Sequence, residues 1–323
     1  MTGLAHPRFA YRKGLHDLGA GAWAWLQPDG SWGWSNAGLV TDGDAALLVD
    51  TLFDLRLTGE MLDAMRASAP AAARIGTLVN THSNGDHTYG NALVAGAEIV
   101  ATRACADEMA HETPAVLAGF QKQAPKLGPL GEYVLHCFGA FHFDGIETRL
   151  PTRTFEGRLD LEVGGKRVEL IQVGPAHTRG DCLVHVPADR LVFSGDILFV
   201  EGTPIVWAGP VQNWIDACDR ILALGAETIV PGHGPITDRR GVVAVRDYLA
   251  YVRAEAKRRF DAGLSARDAA FDIALGDYAS WGDAERIAVN VATVYRELAG
   301  DAQPADVVAL FSLMSELWRE RRR

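Results

Sequence analysis

One stretch of the chain, residues 79–91, places two histidines, an aspartate and an asparagine on a single turn. It reads Val-Asn-Thr-His-Ser-Asn-Gly-Asp-His-Thr-Tyr-Gly-Asn and follows an apolar run at residues 75–79, which predicts a turn at the end of a strand. In open α/β sheets, ligands bind at such turns. Imidazole and carboxylate groups are ligands that zinc takes, so this stretch predicts a metal site.

Three later segments repeat the arrangement, with a His or an Asp beside small residues just after an apolar, strand-like run. The candidate ligands in these segments are His177, Asp196 and His233. Histidine and aspartate also serve in ordinary turns and caps. Four such turns in this order are hard to explain by chance, so the segments together favour one shared metal centre.

With these motifs the chain resembles the metallo-β-lactamase-fold hydrolases over roughly residues 20–240. The first motif of that family reads His-x-His-x-Asp-His, and its later His, Asp and Gly-His-Gly motifs occur here in the same order. The resemblance implies an α/β fold, a four-layer αββα sandwich with one or two metal ions at one edge. One position departs, because Asn84 stands where the family usually has its second histidine.

Carried over position by position, the resemblance implies two groups of ligands. The first group is His82, Asn84 and His177, and the second is Asp86, His87 and His233. Asp196 carries a charge that could bridge two metal ions. An amide oxygen is a poorer zinc ligand than imidazole, so we expect the second group to fill first. The expected cofactor is one or two zinc ions per chain, and iron or manganese is also compatible with these donors.

The implied reaction is hydrolysis of a small ester, lactone, amide or thioester by a hydroxide that the metal supplies. Asp86 is the candidate catalytic residue, either ligating the metal or handling the proton. Asn84 is either a weak ligand or orients the water or the substrate by hydrogen bonds. Aryl-ether cleavage and an oxygen reaction at a single iron stay open as alternatives, and so does a non-catalytic metal-binding or scaffolding subunit.

Three further residues are candidates for orienting the ligands by hydrogen bonds. The resemblance implies that Asp50, which closes a predicted strand, lies near the site, and Thr178 and Asp181 lie close to His177 in the chain. Polar partners of this kind hold a ligating imidazole in place. The alternative is that they cap a strand end or a turn.

Three tryptophans are candidates for the wall of a substrate pocket. Trp32 and Trp34 follow a Pro-Asp-Gly turn that predicts a hairpin between two strands, and the resemblance implies that this hairpin lies over the metal site. Trp207 lies in a later loop. Packing in the first sheet is the alternative. The aromatic and apolar residues near the expected mouth favour an apolar or aryl substrate.

The strand and helix patterns divide the chain into an N-terminal arm at residues 1–20, a metallo-β-lactamase-like domain at 21–240 and a C-terminal helical extension at 241–323. Residues 102–150 interrupt the α/β rhythm and are predicted to be an insertion that could wall the pocket. Residues 152–173 are predicted to begin the second sheet, with three strands.

Composition excludes several other classes of protein. The formal charge of -10 at pH 7 argues against nucleic acid as a partner, because phosphate binding needs clustered Lys and Arg. The sequence contains no run of about 18 apolar residues, so no membrane span is predicted. The start of the chain lacks the apolar segment of a secretory signal. The 4 cysteines are scattered, which favours a reducing cytoplasm. A small molecule is therefore the expected partner.

The last predicted helix, residues 304–320, has an apolar stripe that must be covered. The stripe is formed by Val307, Leu310, Phe311, Met314, Leu317 and Trp318. It is buried either on the domain itself or on another subunit, so a homo-oligomer through the C-terminal helices is one of two alternatives.

Overall fold

A computed structural model describes residues 3–303 and 305–322 of the protein. Within these residues two β-sheets pack face to face, and helices cover their outer faces, as the resemblance implies. The first sheet contains, in spatial order, β1 (Gly14–Gly19), β2 (Ala22–Leu26), β3 (Ala37–Asp42), β4 (Ala45–Val49), β5 (Thr77–Val79), β6 (Glu98–Thr102) and β7 (Arg153–Phe155). The second sheet contains β8 (Arg158–Val163), β9 (Lys166–Gln172), β10 (Cys182–Val186), β11 (Leu191–Phe193) and β12 (Thr228–Val230), adjacent in that order.

The helices of the described residues lie between the strands and after them. They are α1 (Leu55–Ser68), α2 (Gly85–Thr88), α3 (Arg103–Met109), α4 (Pro114–Gln123), α5 (Pro129–Phe138), α6 (Val211–Ala223), α7 (Arg239–Asp261), α8 (Ala266–Asp272), α9 (Ile287–Ala299) and α10 (Val307–Glu320). None of them is both long enough and apolar enough to cross a membrane. The cytoplasmic location stays a prediction.

Alternating side chains build the core between the sheets. In β2, Ala22, Ala24 and Leu26 point into this core, whereas Trp25 packs in the second core, under the helices. Successive residues of a strand face opposite sides, so one strand can serve two cores. β3 and β4 pair antiparallel, and Asp50 follows the end of β4, as predicted for the residue that closes this strand.

The N-terminal part of the chain differs from the prediction in two ways. Residues 14–19 of the predicted arm form β1, which pairs with β2. This strand lies at the edge of the sheet and is only half-buried, so its sequence lacks strong apolar alternation. Residues 31–34 form a loop instead of a strand, and β2 pairs with β3 instead. Met1 and Thr2 of the predicted arm lie outside the described residues.

The predicted start of the second sheet is wrong by one strand. Residues 153–155 form β7, which pairs parallel with β6 at the edge of the first sheet. The second sheet starts at β8. A three-residue strand carries little signal of its own, and its partner depends on where the preceding insertion leaves the chain.

The insertion and the C-terminal segment are helical, and they contact each other. α3, α4 and α5 all lie within residues 102–150. α10 packs on α5 and α9, with Met314 and Leu317 buried. This contact favours the intramolecular cover of the apolar stripe, and a homo-oligomer stays a prediction, as do the domain boundaries. Pro304, the predicted first residue of this helix, and Arg323 lie outside the described residues.

Candidate metal centre

Turns at one edge of the sandwich bring all the predicted ligands together. Two sets of three side chains have ligand atoms within 4.8 Å of one another: His82, His177 and Asp196 in one set, and Asp86, His87 and His233 in the other. The four histidines and Asp196 are at most 3% exposed, and Asp86 remains 14% exposed on its side chain. For the histidines and Asp86 the grouping agrees with the implied one, and Asp196 lies with the first set.

Asp196 lies among all four imidazoles. Its Oδ1 is 3.1 Å from Nε2 of His87, and its Oδ2 is 3.3 Å from Nε2 of His177 and 3.4 Å from Nε2 of His233. Nε2 of His82 is 3.6 Å from the same Oδ2. One carboxylate therefore faces both sets, which is the arrangement a bridging ligand needs.

The other nitrogen of each ring has a protein partner. Nδ1 lies 3.0 Å from Thr81 Oγ1 in His82, 3.0 Å from Asp50 Oδ2 in His87, 2.7 Å from the Ile205 carbonyl oxygen in His177, and 3.0 Å from the Gly30 carbonyl oxygen in His233. Three of these four partners can only accept, and the Thr81 hydroxyl donates elsewhere. Each neutral ring therefore carries its proton on Nδ1 and turns a lone pair on Nε2 toward the centre.

Several of the central atoms suit a metal ion. Among the described residues, Nε2 of His82, Nε2 of His87 and Oδ1 of Asp196 are buried without a hydrogen-bond partner. Buried polar groups are nearly always paired, and imidazole nitrogen and carboxylate oxygen are ligands of zinc. The residues present thus fit the metal that the family resemblance implies.

Asp50 holds two of the imidazoles at once. Its Oδ2 accepts a hydrogen bond from the Thr81 hydroxyl at 2.7 Å as well as from Nδ1 of His87, and Thr81 in turn accepts from His82. Asp50 has a φ of 61°, a left-handed conformation that is strained for a residue with a side chain. The strained turn places the carboxylate behind the two ligands, as expected for a residue that orients them.

Among the described residues, no hydrogen bond joins the side chain of Thr178 or Asp181 to an imidazole ring. The carboxylate of Asp181 accepts hydrogen bonds from the backbone N–H and the hydroxyl of Thr178. The structure thus places them as the cap of the turn that carries His177, whose Nδ1 is held by Ile205 instead. Burial raises the pKa of Asp181 to about 8, although the bonds from Thr178 oppose this.

Asn84 contacts the first set without joining it. Its side-chain oxygen position is 2.8 Å from Nε2 of His177. The Asn84 side chain also donates a hydrogen bond to Glu112, and its amide fills the space in front of this Nε2. The amide therefore competes with a metal ion for this nitrogen.

Two polar residues just before β3 connect the ligand turns, and they were not predicted. Asn36 donates to the carbonyl oxygens of Pro231 and Gly234, both at 2.9 Å, and Ser35 donates to the carbonyl oxygen of Asp86 at 2.5 Å. The His233 turn also needs a glycine, because a Cβ on Gly232 would lie 1.9 Å from Oδ1 of Asp196. No local pattern marks these contacts, which join segments far apart in the chain.

The carboxylates decide which imidazoles hold protons in the metal-free protein. Burial lowers the pKa of His82 and His177. Burial also opposes the charged form of His87 and His233, but Asp196 and Asp86 outweigh it. They hold the pKa of His87 well above its ordinary value and raise that of His233 to about 9.

Zinc affinity is therefore expected to rise with pH. Zinc binds an imidazole only after its proton has left, so each displaced proton contributes about a tenfold gain in affinity per pH unit. For His233 this gain continues up to pH about 9. Chelator competition at several pH values, with a pH indicator for released protons, measures both quantities. A pH-independent affinity without proton release would contradict the expectation.

The ligand edge opens into a cavity of about 860 Å³, within the usual size of a small-molecule site. Asn84, Asp86 and His233 line its floor. Its wall includes the predicted Trp32 and Trp207, together with Phe53, Phe138, Phe199 and Phe311, which were not predicted. Trp34 lies elsewhere, with its ring 4.8 Å from that of Phe141. The hairpin on which its placement rested does not form.

The insertion supplies one side of this cavity. Glu108, Glu112 and Val116 come from α3, α4 and the turn between them, and all three line the wall. Arg286 and Arg296 line it from the C-terminal helices. The prediction that residues 102–150 could wall the pocket agrees with this placement. The C-terminal contribution was not predicted, because spacing alone does not show which way a helix packs.

Comparisons with known proteins agree with this geometry. The chain is 26% identical over 204 residues to a 2,4-dinitroanisole O-demethylase subunit alpha from Nocardioides sp. (strain JS1661), covering 60% of this chain and 51% of that protein. It is 25% identical over 208 residues to the acyl-coenzyme A thioesterase MBLAC2 of Gallus gallus, covering 62% and 72%. The chain thus spans about half the length of the first of these relatives.

A solved structure shares the fold at a lower level of sequence identity. The sec-alkylsulfatase Pisa1 from Pseudomonas sp. superposes with a TM-score of 0.66 and 15% identity, over 91% of this chain and 52% of that one. The sequence model described as the metallo-beta-lactamase superfamily matches residues 30–233. Because that match spans well over half of the sequence and includes every candidate ligand, the chain belongs to the metallo-beta-lactamase superfamily.

Proposed function

We propose that the protein is a metal-dependent hydrolase of small ester, lactone, amide or thioester substrates, with a preference for those that carry an aryl group. The observation that carries the proposal is the orientation of four imidazoles. Each is held through Nδ1 so that its Nε2 faces Asp196, at the floor of an aromatic cavity. Pre-oriented ligands beside a substrate-sized space are what metal-assisted hydrolysis needs.

The proposed metal is zinc, held first by Asp86, His87 and His233 with Asp196 shared between the two sets. The other set should bind metal more weakly, because Asn84 already contacts Nε2 of His177. A metal ion here supplies a water that ionises near neutral pH and a Lewis acid for a developing oxyanion. Iron or manganese would suit the same nitrogen and oxygen donors.

The side chains on the cavity floor have separate tasks in this proposal. Asp86 is the ligand-set carboxylate most open to the cavity, and its Oδ2 lies 3.2 Å from Nε2 of His233. It is placed to hold a metal and to receive a proton from a reacting water at its outer oxygen. Asn84 presents an amide that can orient a substrate carbonyl. Trp32, Phe199 and Trp207 bind an apolar or aryl group and exclude water around it.

A substrate panel tests the hydrolase proposal. Aryl and alkyl esters, lactones and thioesters are offered to zinc-loaded protein, to chelated protein and to chelated protein reloaded with zinc. We expect hydrolysis that is lost on chelation and restored by zinc, with aryl esters preferred over alkyl esters of the same acid. Protein that binds zinc but hydrolyses nothing in the panel would favour the non-catalytic metal-binding subunit.

Aryl-ether cleavage is the second candidate function. A relative is a 2,4-dinitroanisole O-demethylase subunit alpha, and the aromatic wall suits a substrate of that shape. The same panel can include an electron-poor aryl methyl ether, whose cleavage releases a coloured phenolate. Release of phenolate with no ester hydrolysis would make this the better assignment. Iron as the bound metal would direct the search to reactions with oxygen.

Replacing Asn84 by histidine is expected to raise the zinc content from about one toward two ions per chain. The new imidazole adds a ligand to the first set and removes the amide that occupies His177. Elemental analysis of protein purified without added metal measures this. Asn84→Ala is the matched control, because it frees His177 without adding a ligand, and its zinc content should stay lower. Equal zinc content in Asn84→His and the unchanged protein would contradict the proposed weakness of the first set.

A further inference from the structure

The C-terminal segment carries a buried cation that no motif predicted. Arg286 lies just before α9, and only 2% of its surface is exposed. It donates from Nη1 to the carbonyl oxygen of Thr203 at 3.1 Å, and its Nη2 lies 2.9 Å from Oδ2 of Asp283. Its Nε has no hydrogen-bond partner among the described residues. A buried guanidinium whose hydrogen bonds are incomplete needs another contact to offset the loss of water.

Two aromatic rings supply that contact. The guanidinium carbon of Arg286 lies 4.3 Å from the centre of the Trp32 ring and 5.2 Å from the centre of the Phe199 ring. Attraction between a cation and a ring is stronger where water is excluded. Both rings line the cavity, so Arg286 holds part of its wall from the C-terminal side.

Both rings are connected to His233, Phe199 by direct contact and Trp32 through its loop. The Phe199 ring is stacked on its imidazole, with centres 4.9 Å apart and planes 4° from parallel. Trp32 follows two residues after Gly30, whose carbonyl oxygen faces Nδ1 of His233 at 3.0 Å. Gly30 is itself confined, since a Cβ there would lie 2.6 Å from the backbone nitrogen of Gly234. One contact fixes the face of the imidazole and the other fixes its edge, and together they set the direction of Nε2.

We propose that Arg286 is a positioning residue for His233, acting through Phe199 on one side and through Trp32 and its loop on the other. The C-terminal helices would then be part of the metal centre, beyond the segment that the family model matches. This inference rests on the proposed function, because it concerns the same metal set. A role confined to anchoring the C-terminal helices is the alternative that the experiment must separate from it.

The test is the zinc affinity of Arg286→Met, measured by chelator competition on folded protein. Methionine keeps much of the length and removes the charge. We expect zinc to bind about tenfold more weakly, the lower end of what the loss of a supporting partner costs a metal site. Arg286→Lys restores the charge without the flat guanidinium, so its affinity should fall between those of Arg286→Met and the unchanged protein.

Arg259→Met is the matched control. Arg259 is 7% exposed, lies in α7 of the same C-terminal segment, and pairs with Glu255 and Asp272. Its loss should lower the melting temperature and leave zinc affinity unchanged. An equal loss of affinity in Arg259→Met would overturn the proposal, because the effect would then follow from general destabilisation.

A second variant covers the case in which Arg286→Met does not fold. Phe199→Leu keeps Arg286 and removes the ring that is stacked on His233, and we expect it also to weaken zinc binding. Unchanged affinity in Phe199→Leu, or in folded Arg286→Met, would overturn the positioning role. If the unchanged protein itself binds no zinc after reconstitution, the proposed function fails instead, and the two failures are thereby distinguished.

Discussion

Replacing Asp196 by asparagine is expected to leave the purified protein with less than about a tenth of its zinc. The substitution keeps the size of the side chain and removes the one carboxylate that faces both ligand sets. It also turns an NH₂ group toward imidazole nitrogens that lie 3.1 to 3.6 Å away. Those nitrogens would then accept hydrogen bonds from the amide and lose the lone pair that a metal needs. The loss should extend to both sets.

Elemental analysis and circular dichroism of the same preparation measure this result and show that the protein is folded. Asp181→Asn is the matched control, because Asp181 is an equally buried carboxyl group whose partner is Thr178. Burial raises its pKa to about 8, so at neutral pH an amide replaces a mostly uncharged group. Its zinc content should be unchanged. Retention of zinc in Asp196→Asn, or an equal loss in Asp181→Asn, would contradict the shared-ligand role of Asp196.

The ligands could be predicted because the sequence marks each of them in the same way. His82, Asp196 and His233 all stand just after a short apolar strand, and His177 follows a longer one. Ligands bind outside the strand ends of such sheets, so turns that follow strands and carry metal ligands are expected to meet at one edge. The C-terminal helices were predictable for a similar reason, since each has a clear apolar face.

The parts that escaped prediction depend on contacts between distant segments. The acceptors that orient His177 and His233 are the carbonyl oxygens of Ile205 and Gly30. Every residue has a backbone carbonyl oxygen, so the residue type does not show which one will accept such a hydrogen bond. In the sequence, Arg286 cannot be distinguished from other charged residues near a helix start. Its contact with the Trp32 ring depends on the fold. Trp34 was misplaced because a local turn signal predicted a hairpin, whereas β2 found its partner in β3.

Replacing Asp50 by asparagine is expected to weaken zinc binding about 100-fold, the upper end of the effects of partners that orient ligands. Asparagine tolerates the left-handed backbone of this position nearly as well as aspartate, so the substitution tests the carboxylate and leaves the strained turn in place. Asp50 accepts three hydrogen bonds, from the backbone N–H and hydroxyl of Thr81 and from Nδ1 of His87. An amide has one oxygen, so it cannot accept them all.

The orientation of the new amide decides which hydrogen bond is lost. If its NH₂ group faces His87, Nδ1 must accept, and the ring proton moves to Nε2, where it blocks the metal. If its NH₂ group takes the place of Oδ1 instead, it faces the Thr81 backbone N–H, which then loses its acceptor, while the amide oxygen still accepts from the Thr81 hydroxyl and from His87. Nitrogen NMR of the imidazoles identifies the tautomer, and chelator competition gives the affinity.

Asp54→Asn is the matched control, because Asp54 is a buried carboxylate that caps α1 through the Leu57 N–H and has no part in the ligand sets. It should lower stability and leave zinc affinity intact. Unchanged affinity and tautomers in Asp50→Asn would show that the fold alone orients His82 and His87, and that the strained turn at Asp50 serves another purpose.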